Sequence, residues 1–96
     1  MKKNVFSYVG YAIKARKAVF GVDNLFNKKC FVVLYDKSLS DNSKDRVMKY
    51  LSKSNTKGFV VDVEELYPNK NCKAIGISDR NLASAIIKEM EGDLNE

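Results

Sequence analysis

The sequence predicts an α/β domain, a three-layer α/β/α sandwich with helices on both faces of its sheet. Apolar positions switch repeatedly between helical and strand periodicity along the chain, which implies a sheet packed by helices rather than a bundle or an all-β sandwich. One strand-like run is apolar at every position, as a strand covered on both faces is. Ninety-six residues, 45% hydrophobic and 30% charged, supply one core and a wetted surface, so a single domain spanning residues 1–96 is expected. No internal repeat, low-complexity tract or linker divides it.

Asn4 is placed to cap a first helix running to about Arg16, because Phe6, Val9 and Ile13 recur at helical spacing with Val5, Ala12 and Arg16 alongside. Ala18, Val19 and Phe20 form a short strand ended by Gly21, and Val22, Leu25 and Phe26 mark a brief second helix. Cys30 to Tyr35 is continuously apolar and β-prone, so this strand should be central. Asp36 to Ser43 is polar, and Ser40 or Asp41 can cap a third helix that turns Val47, Tyr50, Leu51 and Met48 inward and ends at Ser54, Asn55 and Thr56. Phe59 to Val63 reads as another strand, followed by a loop from Tyr67 to Asn71 built on the only proline, Pro68. Ala74 to Ile77 is the last strand. Ser78 or Asp79 can cap a final helix with Leu82, Ala83, Ile86, Ile87 and Met90 on its buried stripe, and Glu91 to Glu96 is expected to fray as an acidic tail.

The chain carries 17 Lys and Arg against 12 Asp and Glu, a formal net charge of +5, and the excess is local. Lys2, Lys3, Lys14, Arg16, Lys17, Lys28 and Lys29 lie in the first 29 residues, opposed there only by Asp23; the rest of the chain is close to neutral. A polyanion such as nucleic acid or an anionic membrane would release counterions on docking to that segment; an ordinary solvated face is the plainer alternative.

Other chemistries find little support. Cys30 and Cys72 are too far apart for a CxxC motif, and the absence of His removes the commonest metal ligand and neutral-pH base. Both cysteines read as buried, reduced thiols. Asp62, Glu64 and Glu65 sit near a strand end, yet three carboxylates without a phosphate-cradling glycine loop are more often a solvated edge than a Mg²⁺ site. No catalytic residue, metal, cofactor or small-molecule substrate is therefore expected. Lys14, Arg16 and Lys17 interrupt the apolar run after Met1-Lys2-Lys3, so it does not read as a signal peptide, and no segment reaches the roughly 18 apolar residues of a membrane span. A cytoplasmic monomer is expected. Membrane-surface docking through the first helix is disfavoured, because so small a domain needs that helix's apolar face for its core.

The string Gly10-Tyr11-Ala12-Ile13-Lys14-Ala15-Arg16-Lys17-Ala18-Val19-Phe20-Gly21 resembles the opening of the kink-turn-binding ribosomal-protein family, which includes archaeal large-subunit protein seven-a-e, eukaryotic protein thirty-e and small bacterial paralogues. Ser40-Asp41-Asn42-Ser43 after the central strand and Ala74-Ile75-Gly76-Ile77-Ser78-Asp79 before the last helix fall at matching distances, and the resemblance spans roughly residues 5 to 90. It implies a mixed four-stranded sheet between helices, with structured RNA docking where Gly21 meets the second helix. Free backbone N–H groups favour phosphate there, and glycine lets the backbone come close.

In that family the segment after the glycine presents Asn, then Glu, to tandem sheared G·A pairs, with a Lys three residues later on phosphate. The corresponding positions here are Asp23, Asn24 and Asn27, and none carries the usual residue. Asp23 accepts but cannot donate, whereas Asn24 does both. Lys28 and Lys29 follow Asn27 and stand in for the missing phosphate contact, with Lys14, Arg16 and Lys17 adding charge. The implied RNA-binding set is thus Lys14, Arg16, Lys17, Gly21, Val22, Asp23, Asn24, Asn27, Lys28 and Lys29. The loop at 66–72 offers Tyr67, Asn69 and Lys70 where the family is aliphatic; Tyr67 either stacks on a base or merely closes a turn with Pro68. The alternative function is a protein-interaction adaptor or ribosome-associated scaffold that has lost kink-turn recognition.

Overall fold

A computed structural model describes residues 3–68 and 72–95. Its elements are α1 (Lys3–Lys14), β1 (Ala18–Phe20), α2 (Val22–Leu25), β2 (Val32–Asp36), α3 (Asp41–Ser54), β3 (Lys57–Val61), α4 (Val63–Leu66), β4 (Ala74–Ile77) and α5 (Arg80–Asn95). The four strands form one mixed sheet in the order β1-β4-β2-β3: β4 runs antiparallel to both neighbours, and β2 runs parallel to β3.

Side-chain alternation along the sheet builds two cores. Val32, Leu34, Ile75 and Ile77 point to the face covered by α1, α4 and α5, where they meet Val5, Val9, Ala12, Val63, Leu66, Ala83 and Ile86. Val33, Tyr35 and Ala74 point to the face covered by α2 and α3 and meet Leu25, Cys30, Val47 and Tyr50. Every residue of β2 is buried, so the expectation of a central strand with helices on both sides holds. The architecture is the three-layer α/β/α sandwich.

Several element boundaries differ from the sequence reading, each for a local reason. Asn4 lies inside α1 rather than capping it, and its amide donates to Glu89 Oε1 at 3.2 Å. The helix stops at Lys14 instead of Arg16, which takes a left-handed conformation with φ of 59°. Its buried stripe is Val5, Val9 and Ala12, leaving Phe6 exposed and Ile13 half-buried. Met48, also expected inside, is exposed, as is Phe26 at the end of the second helix. The central strand starts at Val32, and Cys30 and Phe31 form its approach. Val63 opens α4 instead of closing β3, because Asp62 Oδ1 accepts from the Glu64 N–H at 3.2 Å and starts a helical turn.

The other caps follow sequence. Ser40 Oγ accepts from the Ser43 N–H at 3.2 Å, and Asn55 closes α3 in the left-handed region. Asp79 Oδ1 accepts from the Leu82 N–H at 3.0 Å, so Asp79 rather than Ser78 caps α5. That helix continues to Asn95 rather than fraying at Glu91. Met90 packs against the core, and Glu91 forms an ion pair with Lys57, which hold its last turns in place.

Candidate nucleic-acid interface

The sheet register fixes which residues share an end of the molecule. Ala18, Ile77, Val32 and Lys57 lie side by side where β1, β2 and β3 begin. Gly21, Ala74 and Asp36 lie at the opposite end: the Gly21 N–H donates to Ala74 O at 2.9 Å and the Asp36 N–H to Lys73 O at 2.8 Å. Four steps of extended chain, through the three residues of β1, carry Lys17 to Gly21, about 13 Å at the usual rise of a strand.

The ten residues expected to form one RNA surface are therefore divided. Gly21, Val22, Asp23 and Asn24 line a groove of about 560 Å³ at the finishing end. Lys14, Arg16 and Lys17 sit where α1 meets β1, at the starting end. Lys28 and Lys29 lead into β2 at that same end, and the Tyr50 hydroxyl holds this approach by donating to Lys28 O at 3.1 Å while accepting from the Cys30 N–H at 2.9 Å. Asn27 is exposed in the turn between the two ends, its N–H donating to Asn24 O at 3.1 Å.

Gly21 is required by its backbone, which has φ of 88°. A Cβ there would meet nothing nearer than Asn24 Nδ2 at 4.0 Å, so the space beside the turn is open. The Asn24 amide donates to Phe20 O at 2.7 Å and braces the turn from within. Across the groove stand Ser40, the cap of α3, and Ser43 in its first turn, together with Arg46 and Lys73. Neither cation was legible as a site residue, because only tertiary packing brings α3 and the β4 approach against Gly21.

Both cations are partly neutralised. Arg46 Nη2 lies 2.5 Å from Asp23 Oδ1, and its guanidinium also lies over the Phe26 ring at 5.8 Å. Lys73 Nζ donates to Ser38 Oγ at 3.2 Å and lies 4.0 Å from Asp36 Oδ2. Asp36 is itself buried and accepts from the Ser38 N–H, the Ser38 hydroxyl and the Val63 N–H. The Ser38 hydroxyl most of all, helped by those N–H groups and Lys73, holds its carboxyl down to about 2.

Tyr67 is stacked on Phe20, with ring centroids 4.7 Å apart, and is half-buried against the core. Its ring is thus engaged within the fold. The other expected loop contacts, Asn69 and Lys70, lie outside the described residues. Cys30 and Cys72 are buried on opposite faces of the sheet, and burial pushes both thiols up. Asp62, Glu64 and Glu65 do not form a metal cluster; among the described residues no group of three or more Cys, Asp or Glu side chains is placed to hold an ion. Among the same residues no helix is long and apolar enough to cross a membrane.

The chain belongs, by its architecture, to the three-layer α/β/α domains with a mixed sheet. No protein-family model and no curated protein matches it. It is similar in fold to a solved structure described as a protein with unknown function from Bacillus halodurans C, with a TM-score of 0.80 and 16% sequence identity, covering 94% of this chain and 99% of that one.

Proposed function

We propose that this protein binds structured RNA without catalysis, in the manner of the kink-turn-binding ribosomal proteins, through the groove beside Gly21. One observation carries the reading: a left-handed glycine with open space at its α-carbon faces a groove bordered by an ammonium, three serine hydroxyls and a guanidinium paired with the Asp23 carboxylate. Those groups suit a sharply bent phosphate backbone, and the unhindered glycine admits it closely. Asn24, whose amide already gives one N–H to Phe20 O, can still both donate to and accept from a base edge, as the serine hydroxyls of the groove also can. The chain's formal charge of +5 adds attraction independent of sequence.

The test is a gel shift with a kink-turn RNA beside a straight duplex of the same length. The kinked RNA is expected to bind more tightly, and Asn24→Ala to lose about 1–3 kcal/mol of that preference, the usual worth of a base-edge contact. Equal affinity of the unaltered protein for both RNAs would remove kink recognition. The Asp23–Arg46 pair favours a second reading, in which the groove is closed to RNA and the domain serves as a ribosome-associated scaffold or protein adaptor. Co-sedimentation with ribosomal subunits, together with failure to bind any free RNA, would favour it.

A further inference from the structure

We propose that the opposite end of the sheet, where β1, β2 and β3 begin, is a second docking surface that takes the sugar-phosphate backbone of an RNA helix. The inference rests on the RNA-binding reading above but uses none of the residues of the Gly21 groove. Lys14, Arg16, Lys17, Lys28, Lys29 and Arg80 reach this end from three separate stretches of chain, and among the described residues none of them forms an ion pair. Arg46, Lys57 and Lys73, in contrast, each face a carboxylate.

The convergence is built by the backbone. The Ser78 N–H and hydroxyl donate to Lys17 O at 2.8 and 3.1 Å, and the Phe31 N–H donates to Ile77 O at 2.8 Å, which ties the ends of α1, the β2 approach and the start of α5 together. Phe31 then gathers two cations on one ring: Lys29 Nζ lies 5.8 Å and Arg80 Cζ 5.4 Å from its centroid. Among the described residues, neither of the nearby carboxylates forms an ion pair with them. Asp79 is engaged as the α5 cap and Glu91 by Lys57. Like charges held this close repel unless an anion lies between them.

Arg16 supplies an independent observation. The Arg16 N–H donates to Ile13 O at 3.1 Å and the Lys17 N–H to Ala12 O at 2.8 Å, the bonding of a helix end that turns through a left-handed residue. Glycine or asparagine suits that position, yet an exposed arginine with φ of 59° fills it. Among the described residues its guanidinium forms no hydrogen bond, ion pair or ring contact that would offset the strain, which points to a use outside the chain.

A membrane surface fits less well. The apolar stripe of α1, Val5, Val9 and Ala12, is spent in the core, and Phe6 and Tyr11 are left as isolated exposed rings. An RNA helix needs only a spread of donors, which this end provides. With the two surfaces about 13 Å apart along β1, one folded RNA reaches both.

The test measures binding of a straight RNA duplex of about 16 base pairs and of a kink-turn RNA at two salt concentrations. The protein carrying Lys17→Gln, Lys29→Gln and Arg80→Gln together is expected to bind the duplex more weakly, with a log affinity against log salt slope shallower by about 2–3, while keeping its preference for the kinked RNA. Asn24→Ala should do the reverse, losing the preference and keeping the slope. Arg16→Gly separates docking from folding: it should raise the melting temperature by roughly 5 °C through relief of strain and still weaken duplex binding. An unchanged slope in the triple variant, or undiminished duplex binding by Arg16→Gly, overturns the second surface. So does binding to phosphatidylserine vesicles that the triple substitution abolishes while RNA binding is untouched. If the unaltered protein shows no kink preference but the slope still falls, the groove reading fails and this one stands; if it binds no RNA, both fail.

Discussion

Asp36 closes β2 with both carboxylate oxygens engaged, and its place in the fold makes one residue answerable for three segments. Its Oδ1 receives the Val63 N–H at 2.9 Å and its Oδ2 the Ser38 N–H at 2.9 Å, so the end of β2, the following turn and the start of α4 are joined. These donors prefer the ionised carboxylate, which is why its pKa falls from an ordinary 3.8 to about 2. A depressed pKa contributes stability that is complete above the ordinary value and lost as pH drops through the depressed one. The difference corresponds to on the order of 2 kcal/mol, because the side chain is buried and little screened. Asp36→Asn should therefore lower the urea midpoint at pH 6, and the gap between the two proteins should narrow between pH 4 and pH 2. A gap that stays constant through that window would show that ionisation of Asp36 does not stabilise the fold. Local hydrogen bonding of this kind was invisible in the sequence, where Asp36 read only as the first polar residue after an apolar run.

At the scale of elements, the sheet is held close to α2 by a residue with no side chain. A Cβ on Gly76 would lie 2.5 Å from Cys30 Sγ and 2.8 Å from Leu25 Cδ2, both buried and enclosed. Gly76→Ala should cost about 1–3 kcal/mol from overpacking, read as a lower melting temperature. Adding Cys30→Ala should restore part of the loss by vacating the space the new methyl needs. If Gly76→Ala melts with the unaltered protein, α2 is not packed this closely. The strands and long helices were legible because their side chains alternate or recur against a core; Val33 and Leu34 can only serve a strand with two covered faces. α4 was not, since four residues show no period, although the Asp62 cap was present in the sequence. Phe6 misled because hydrophobicity alone cannot place one helix face against the sheet; packing assigned that role to Val5 and Val9 instead.

For the whole molecule, the order β1-β4-β2-β3 separates what the sequence put together. Proximity along the chain made Lys17 and Gly21 look like one site, whereas an extended strand carries them to opposite ends; Arg46, Lys73 and Arg80 arrive beside them only through folding. The same order predicts an uneven distribution of stability. β2 and β4 are flanked on both sides by strands and covered on both faces, while β1 is a three-residue edge and β3 an edge with Lys57 and Val60 exposed. Opening an edge breaks one ladder, but opening β2 or β4 breaks two ladders and both cores. Amide hydrogen exchange should accordingly be slowest in Val32–Asp36 and Ala74–Ile77 and faster in Ala18–Phe20 and Lys57–Val61. Since β1 joins the Gly21 groove to the cationic end, an RNA that grips both should slow exchange in β1 more than in β3. Equal slowing of the two edges, or none in β1, would mean that the bound RNA does not span that strand.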